Sequence, residues 1–146
     1  MTENNTRRTV SETCREVYKH WTSINLRYGD TDRQGHINNA VYCTLLESGR
    51  VGFLFDGQNS AAGPGTSFVI AKLSIDYLKE MHFPGLAEVG SRISKIGNSS
   101  FIVSQAIFYE GNCCSTGESI IVLLDEQTGK PTAISDEFRT RLSQIS

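Results

Sequence analysis

The stretch GDTDRQGHINNAVY, residues 29–42, places two aspartates, a glycine, a histidine and two asparagines immediately before an apolar run. The residues before it, 22–28, alternate apolar with polar side chains, which is the period of a β-strand with one buried face. Three side chains are expected on that face: Ile24, Leu26 and Tyr28. The polar stretch is therefore expected to leave a strand through a tight turn.

A long helix is expected directly after the turn, from Asn39 to about Phe55. Its apolar side chains recur at helical spacing, with one stripe formed by Tyr42, Leu46, Gly49 and Phe53. Gly49 and Gly52 each weaken a helix by about 1 kcal/mol relative to alanine. Their presence predicts that another element, such as a sheet wrapped around the helix, passes too close for a β-carbon.

Strands are expected to dominate the remainder of the chain. Residues 56–67 are rich in Gly, Ser and Pro, which indicates a loop. Alternating patterns then predict four strands, the last three forming an antiparallel meander: 68–79, 87–96, 101–110 and 114–124. One face of the first of these is expected to carry Val69, Ala71, Leu73, Ile75 and Tyr77. Ser135 has the position of an N-cap before two acidic residues, which predicts a short terminal helix.

The composition narrows the class of protein. Of the 146 residues, 38 % are hydrophobic and 21 % charged, with a formal charge of −2. These values are typical of a globular domain and do not indicate binding to nucleic acid or an anionic membrane. The polar start and the lack of a long apolar run predict a soluble cytoplasmic protein. We expect an N-terminal extension of open conformation over residues 1–20 and a single domain over residues 21–146.

The cysteines suggest neither a disulfide framework nor a zinc site. They are Cys14, Cys43, Cys113 and Cys114. Adjacent cysteines rarely bridge each other, and no CxxC pair is present. We expect reduced, mostly buried thiols that pack as small hydrophobes, and no metal site.

Three alternative interpretations of the polar stretch fail on spacing. Asp30 and Asp32 begin like a calcium-binding loop, but Val41 occupies the position of the bidentate glutamate. No GK[ST] or GxGxxG sequence is present, which removes the common phosphate-binding loops. His36 and Cys43 lie two helical turns apart, too far for a nucleophile and its base.

Two interpretations of the turn stay open on residue chemistry alone. Aspartate, glycine and asparagine favour turns and helix caps for local reasons, so the stretch needs no function. Alternatively, a carboxylate ahead of a helix N-terminus faces free N–H groups and a dipole that favours negative charge. That pairing suits acyl transfer, because the carboxylate attacks a carbonyl or activates water while the amides hold the oxyanion.

The order of strand, YGDTDRQGHINNAVY, long helix and meander resembles the hotdog-fold acyl-CoA thioesterases related to 4-hydroxybenzoyl-CoA thioesterase. The specific part of the resemblance is the block from Tyr28 to Glu47. It implies an α+β hotdog fold, in which an antiparallel sheet of about five strands wraps around one long central helix. It also implies hydrolysis of an acyl thioester. Hydratases, dehydratases and non-catalytic acyl-binding modules share this fold and stay as alternatives.

The resemblance assigns roles in catalysis residue by residue. Asp32 matches the catalytic carboxylate, acting as nucleophile or general base. The amide of Asn39 matches the donor to the thioester carbonyl. Gly35 and Asn38 match positions that shape the turn and present the helix-end amides.

The resemblance also suggests which residues contact the substrate. His36, Asn38 and Tyr42 are expected beside it, with His36 mainly in a positioning role. In the 4-hydroxybenzoyl-CoA branch, a basic cluster before the fourth strand meets the phosphates of coenzyme A. Here that stretch is KIGNSSF, where only Lys95 stays positive, with Arg92 three residues earlier. Weak recognition of coenzyme A is expected, with an acyl carrier protein as the alternative donor.

The expected number of helices and strands also predicts an oligomer. One helix cannot cover both faces and the edges of such a sheet, so a homodimer is expected, and two such dimers can stack into a tetramer. The small-molecule acyl thioester is the expected partner, without a cofactor.

Overall fold

The computed structural model describes residues 12–146, and the first part of the expected N-terminal extension lies outside them. In chain order the elements are a 3₁₀ turn (Arg15–Val17), β1 (His20–Asn25), a second 3₁₀ turn (Tyr28–Asp30), α1 (Asn39–Leu54), β2 (Phe55–Asp56), β3 (Asn59–Ser60), β4 (Thr66–Tyr77), β5 (Leu86–Ile96), β6 (Ser100–Tyr109), β7 (Asn112–Asp125) and α2 (Asp136–Ser143). The sequence did not settle the conformation of residues 12–20. In the structure they contain the first 3₁₀ turn and the first residue of β1.

Five of the strands form one antiparallel sheet in the order β1–β5–β6–β7–β4. The predicted meander is confirmed as β5–β6–β7, with strand ends within two residues of the predicted ones. Helix α1 packs against β1, β5 and β6 on one face of this sheet. The predicted stripe along α1 is buried, and it forms the core with the inward side chains of the strands.

The two glycines of α1 mark the closest approach of helix and sheet, as predicted. A β-carbon on Gly49 would lie 2.5 Å from Cγ1 of Val89 on β5, and one on Gly52 would lie 2.5 Å from Nε2 of His20 on β1. Real β-carbons do not approach other atoms this closely, so side chains of β5 and β1 occupy the space that a larger residue at either position would need.

The first strand differs from its prediction at both ends. It covers His20–Asn25, and the chain then enters the 3₁₀ turn at Tyr28. Tyr28, predicted on the buried face, is 78 % exposed and packs edge-on against Phe83. Leu26 is buried as predicted.

Strand β4 also differs, because a β-bulge interrupts its pairing with β7 between Ile70 and Lys72. A bulge inserts one unpaired residue and shifts the alternation of faces along the strand. Leu73 and Ile75 pack against the core, and Phe68 joins it on the other side of the bulge. The prediction that Val69 shares a face with Leu73 and Ile75 is wrong, because the bulge lies between them. Val69, Ala71 and Tyr77 are all exposed on this edge strand.

The predicted loop at 56–67 contains the short β2–β3 hairpin, which the sequence did not indicate. The terminal helix α2 is confirmed, with the hydroxyl of Ser135 accepting a hydrogen bond from the N–H of Phe138.

All four cysteines are free. The prediction of mostly buried thiols is wrong, because only Cys114 is buried while Cys14 and Cys43 are exposed. Cys43 lies on the solvent side of α1 and Cys14 precedes the sheet, so neither meets the core.

The outer face of the sheet, away from α1, is covered by residues that precede and begin β1. Tyr18, Trp21 and Phe108 form edge-on and tilted ring contacts there, with centroids 5.7–6.3 Å apart. The guanidinium of Arg15 lies 4.4 Å from the Trp21 ring centroid, a cation–π contact. Gly90 lets Tyr18 approach, since a β-carbon there would lie 2.8 Å from Cβ of Tyr18.

Across residues 12–146, no helix combines the length and the apolar character that crossing a membrane requires.

Candidate active site

The polar stretch forms a tight turn, and an isolated antiparallel β-bridge between Thr31 and Ile37 joins its two ends. The N–H of Asp32 donates to the carbonyl of His36 at 2.7 Å, and the N–H of Gly35 donates to the carbonyl of Asp32 at 3.1 Å. Gly35 has φ +85°, in the left-handed region that favours glycine. The sequence predicted the turn because this residue can close it without strain.

The carboxylate of Asp32 is fixed through one of its oxygens. Oδ1 accepts the backbone N–H of Gln34 at 2.8 Å and that of His36 at 3.1 Å. No donor in residues 12–146 bonds to Oδ2, and the side chain is partly exposed. The turn therefore orients the carboxylate and leaves one oxygen free for chemistry.

Asp30 has a structural role beside it. Its buried carboxylate accepts the N–H of Arg27 at 2.8 Å and the guanidinium of Arg27 at 2.9 Å. The hydrogen bonds from Arg27 hold the pKa of Asp30 below its usual value, so the carboxylate stays ionised. The carbonyl of Asp30 accepts the N–H of Asn38 at 2.8 Å, which links this segment to the start of α1.

The N-terminus of α1 has one open amide. Asn38 is the N-cap, and its side-chain oxygen accepts the N–H of Ala40 at 2.9 Å. The N–H of Val41 donates to the carbonyl of Asn38. Within the described part of the chain, no acceptor pairs with the N–H of Asn39. This is the amide that the sequence analysis assigned to the thioester carbonyl, and it is free to donate.

A second turn in the chain shows that hydrogen bonds like those of Asp32 can arise from local geometry alone. After β7, Oδ1 of Asp125 accepts the N–H of Gln127 at 2.8 Å and of Thr128 at 3.1 Å. The N–H of Gly129, with φ +67°, donates to the carbonyl of Asp125 at 2.8 Å. An aspartate held by a glycine turn is therefore an ordinary local structure. What distinguishes Asp32 is the helix N-terminus that follows its turn.

His36 lies beside the turn, with its ring directed at another segment. Its Nε2 is 3.2 Å from Oε2 of Glu80, and its ring stands edge-on to His82 at 5.0 Å between centroids. Its backbone N–H, by contrast, contacts the Asp32 carboxylate. These two contacts agree with a positioning role, while contact with substrate stays a prediction.

Tyr42 lies in the core, 3 % exposed, and its hydroxyl donates to the carbonyl of Lys79 at 3.2 Å. Its ring packs edge-on against Tyr77, whose own hydroxyl donates to the carbonyl of Asn39 at 3.1 Å. The structure thus gives Tyr42 a supporting position under the start of α1, and its contact with substrate stays a prediction.

The two basic residues predicted to meet coenzyme A lie away from the turn of the same chain. Strand β5 begins beside the turn, where Leu86 pairs with Asn25. At about 3.3 Å per residue, Lys95 lies roughly 30 Å along the strand from Leu86 and Arg92 roughly 20 Å. A single chain does not bring these cations to Asp32, so their role stays a prediction that requires a second chain.

One candidate that the sequence analysis missed is Arg50. It is 3 % exposed, its Nη1 donates to Oε1 of Gln105 at 3.2 Å, and burial lowers its pKa. It lies on the wall of a largely apolar pocket of about 300 Å³ between the second half of α1 and the start of β4, which Val69 and Ile70 also line. Periodicity gives no signal for it, because an arginine on a helix is normally taken to face solvent.

The comparisons with known proteins agree with this geometry. A family model described as the thioesterase-like superfamily matches residues 26–142. The long-chain acyl-CoA thioesterase FadM of Escherichia coli (strain K12) is 29 % identical over 132 residues, covering 85 % of this chain and 97 % of FadM.

Solved structures give the same result. The PA5185 protein from Pseudomonas aeruginosa strain PAO1 has a TM-score of 0.82 at 30 % identity, covering 90 % of this chain and 94 % of that one. A thioesterase from Thermus thermophilus, complexed with coenzyme A and Zn, has a TM-score of 0.75 at 25 % identity, covering 87 % and 93 %. The family model and these relatives show that the chain belongs to the thioesterase-like superfamily and is a thioester hydrolase with the hotdog fold.

Proposed function

We propose that this chain hydrolyses acyl-CoA thioesters, with Asp32 as the reacting carboxylate and the N–H of Asn39 as a donor to the thioester oxygen. The observation that carries the proposal is a pair of unsatisfied groups, one on the turn and one at the N-terminus of the helix that follows it. Asp32 keeps Oδ2 free while Oδ1 is anchored, and the first amide of α1 has no acceptor among residues 12–146. The long-chain acyl-CoA thioesterase FadM and the coenzyme A complex from Thermus thermophilus support the donor class.

Two routes fit this pair. In the first, Oδ2 of Asp32 attacks the thioester carbonyl carbon, the C–S bond breaks, and the thiolate leaves with a proton from solvent. Water then cleaves the mixed anhydride and regenerates the carboxylate. In the second, Oδ2 removes a proton from water as the hydroxide adds to the carbonyl carbon. The C–S bond then breaks, and the leaving thiolate takes that proton from Asp32, which regenerates the carboxylate. In both, negative charge develops on the carbonyl oxygen, which the Asn39 N–H and the helix dipole stabilise.

The acyl chain would occupy the pocket near Arg50 in a homodimer. Strand β4 is at an edge of the sheet and exposes Val69, Ile70 and Tyr77, with Leu78 exposed directly after it, which suits pairing with a second copy. Antiparallel pairing across a two-fold axis brings opposite ends of the two strands together. The Tyr77 end touches Asn39, and the Val69 end lines the apolar pocket. One subunit would thus supply the turn and the other the acyl pocket.

Replacing Asp32 tests the chemical assignment. Asp32→Asn keeps the shape and removes the charge, and loss of the reacting group should lower kcat by at least about 100-fold. Asp125→Asn is the matched control, because Asp125 occupies a turn with nearly the same hydrogen bonds. Hydrolysis of a panel of acyl-CoA substrates would be followed by thiol release. Near-parental turnover in a folded Asp32→Asn variant would show that Asp32 is not the reacting group.

The thiol half of the substrate is tested separately. One acyl group is presented on coenzyme A and on N-acetylcysteamine, and kcat/KM is compared. Because Arg92 and Lys95 are the only cations assigned to the phosphates, we expect a high KM for the coenzyme A thioester and a modest advantage from the nucleotide. An advantage of several orders of magnitude would mean that other residues bind the phosphates.

Light scattering at micromolar concentration tests the assembly. We expect a dimer or a tetramer, and a monomer would rule out a site shared between two chains. The Asp32 assignment is independent of that result.

A further inference from the structure

We propose that His36, Glu80 and His82 form a binding site for a divalent transition metal ion, best suited to Zn²⁺, beside the candidate catalytic turn. Each residue offers one ligand atom, and the three ligand atoms lie within 4.8 Å of one another. Among residues 12–146 no other group of three or more His, Cys, Asp or Glu side chains meets this condition.

The distances between ligand atoms are close to those of a tetrahedral site. Zinc binds imidazole nitrogen and carboxylate oxygen at about 2.0–2.2 Å, which places neighbouring ligands roughly 3.4 Å apart in a tetrahedron. Oε2 of Glu80 is 3.2 Å from Nε2 of His36 and 3.8 Å from Nε2 of His82. These two distances lie on either side of that spacing.

Backbone pairing brings the ligands together and would hold them there without the ion. His36 and His82 form an isolated antiparallel bridge, and the N–H of Ile37 donates to the carbonyl of Met81 at 2.8 Å. Glu80 lies two residues before His82, on the same segment. A site preorganised by the fold loses less entropy on binding than one built from free side chains.

The donor set favours zinc over calcium or magnesium. Two imidazoles and one carboxylate are the protein ligands of one common class of zinc site, whereas calcium and magnesium select oxygen ligands. Three protein ligands leave one position for water, and a pocket of about 260 Å³ borders Glu80 and His82. The side chains are 29 %, 64 % and 51 % exposed for His36, Glu80 and His82, so an ion can enter from solvent.

The competing explanation is an exposed contact between His36 and Glu80 alone, without a role for His82. Such pairs contribute little to stability and need no second histidine. Lys79 and Glu110 also border the pocket. The positive charge of Lys79 disfavours binding of a cation there, and the negative charge of Glu110 favours it. The two explanations differ in whether both histidines are needed for metal binding, which is measurable.

A bound ion would have a specific consequence for the site. It would tie the turn that holds Asp32 to the connection between β4 and β5, since His36 contributes its ring to the ion and its N–H to Asp32. Metal should therefore raise the Tm of the protein. This inference does not depend on which thioester is cleaved.

The test uses the full chain, stripped with EDTA, and readouts other than activity. Titration with Co²⁺ should give the visible absorption of a tetrahedral complex, and Zn²⁺ should displace it. His82→Gln and Glu80→Gln should each weaken Zn²⁺ binding by more than about 100-fold in calorimetry and abolish the Tm increase. Glu110→Gln is the matched control, because it removes a carboxylate from the same pocket and should change affinity by less than about fivefold.

Several outcomes would overturn the proposal. These are the absence of a tetrahedral Co²⁺ spectrum, equal affinities in the parent and His82→Gln proteins, or thiolate-to-cobalt absorption that implicates Cys114. Circular dichroism of each variant in EDTA separates loss of metal binding from loss of folding. Failure of the metal site would leave the Asp32 result untouched.

Discussion

Replacing Gly35 by alanine tests whether the turn serves catalysis beyond its local structure. Gly35 has φ +85°, and a β-carbon there would meet nothing within 4 Å. The cost is therefore the backbone term alone, about 1–2 kcal/mol for a non-glycine residue in the left-handed region. For a chain of this length that predicts a Tm decrease of about 3–6 °C.

The same strain should displace the carboxylate of Asp32, because Gly35 closes the turn whose amides hold Oδ1. Misplacement by about 1 Å costs on the order of 100-fold in rate, so kcat/KM should fall by about 10- to 100-fold. Gly129→Ala is the matched control, since Gly129 also has positive φ and open space around its β-carbon.

The assay combines thermal denaturation with thiol release for the two variants. We expect similar Tm decreases in both and a loss of activity only in Gly35→Ala. Equal activity in the two variants would refute the claim that this turn positions a reacting group.

Three further predictions concern the core and the pocket. Gly49→Ala should destabilise the protein by up to about 2 kcal/mol in chemical denaturation, because overpacking against Val89 outweighs the gain in helix propensity of about 1 kcal/mol, and a more stable variant would contradict this. Burial lowers the pKa of His20, so as pH falls the imidazole is protonated in the unfolded chain before it is protonated in the folded protein. Stability should therefore decline as pH falls below about 6.5. Tm measured against pH should show this decline in the parent protein and not in His20→Gln. Arg50→Met removes a buried cation from the pocket wall and should lower KM for unsubstituted acyl chains, and an unchanged chain-length profile would exclude Arg50 from the acyl site.

Much of the fold was predictable because periodicity reports directly on which face of an element is buried. The stripe of α1, its two glycines and the meander β5–β6–β7 follow from local patterns that tertiary contacts then confirm. The bulge in β4 was not predictable from the sequence. An extra residue in a strand reverses which alternate positions face the core, and the apolar residues of β4 do not show where that reversal occurs. The exposure of Val69 follows from that shift and from the position of β4 at an edge.

The candidate site was predictable only where its parts are adjacent in sequence. Asp32, Gly35 and the cap of α1 lie within one stretch, so residue chemistry indicates a carboxylate ahead of a helix N-terminus, and the family resemblance then assigns the reacting role to Asp32. The cluster of His36, Glu80 and His82 joins two distant segments through one backbone bridge, and no spacing rule anticipates it. Arg50 was missed because its burial depends on how closely the sheet approaches α1.

The contact between Arg15 and Trp21 has a practical consequence for following this protein in solution. The chain contains one tryptophan, so its intrinsic fluorescence comes from a ring on the outer face of the sheet, under a guanidinium and beside Phe108. Emission will therefore respond to detachment of the segment before β1, which lies on the opposite side of the sheet from α1. A fluorescence change in a denaturant series can precede loss of turnover, and the two signals together would show whether the outer layer separates before the catalytic turn opens.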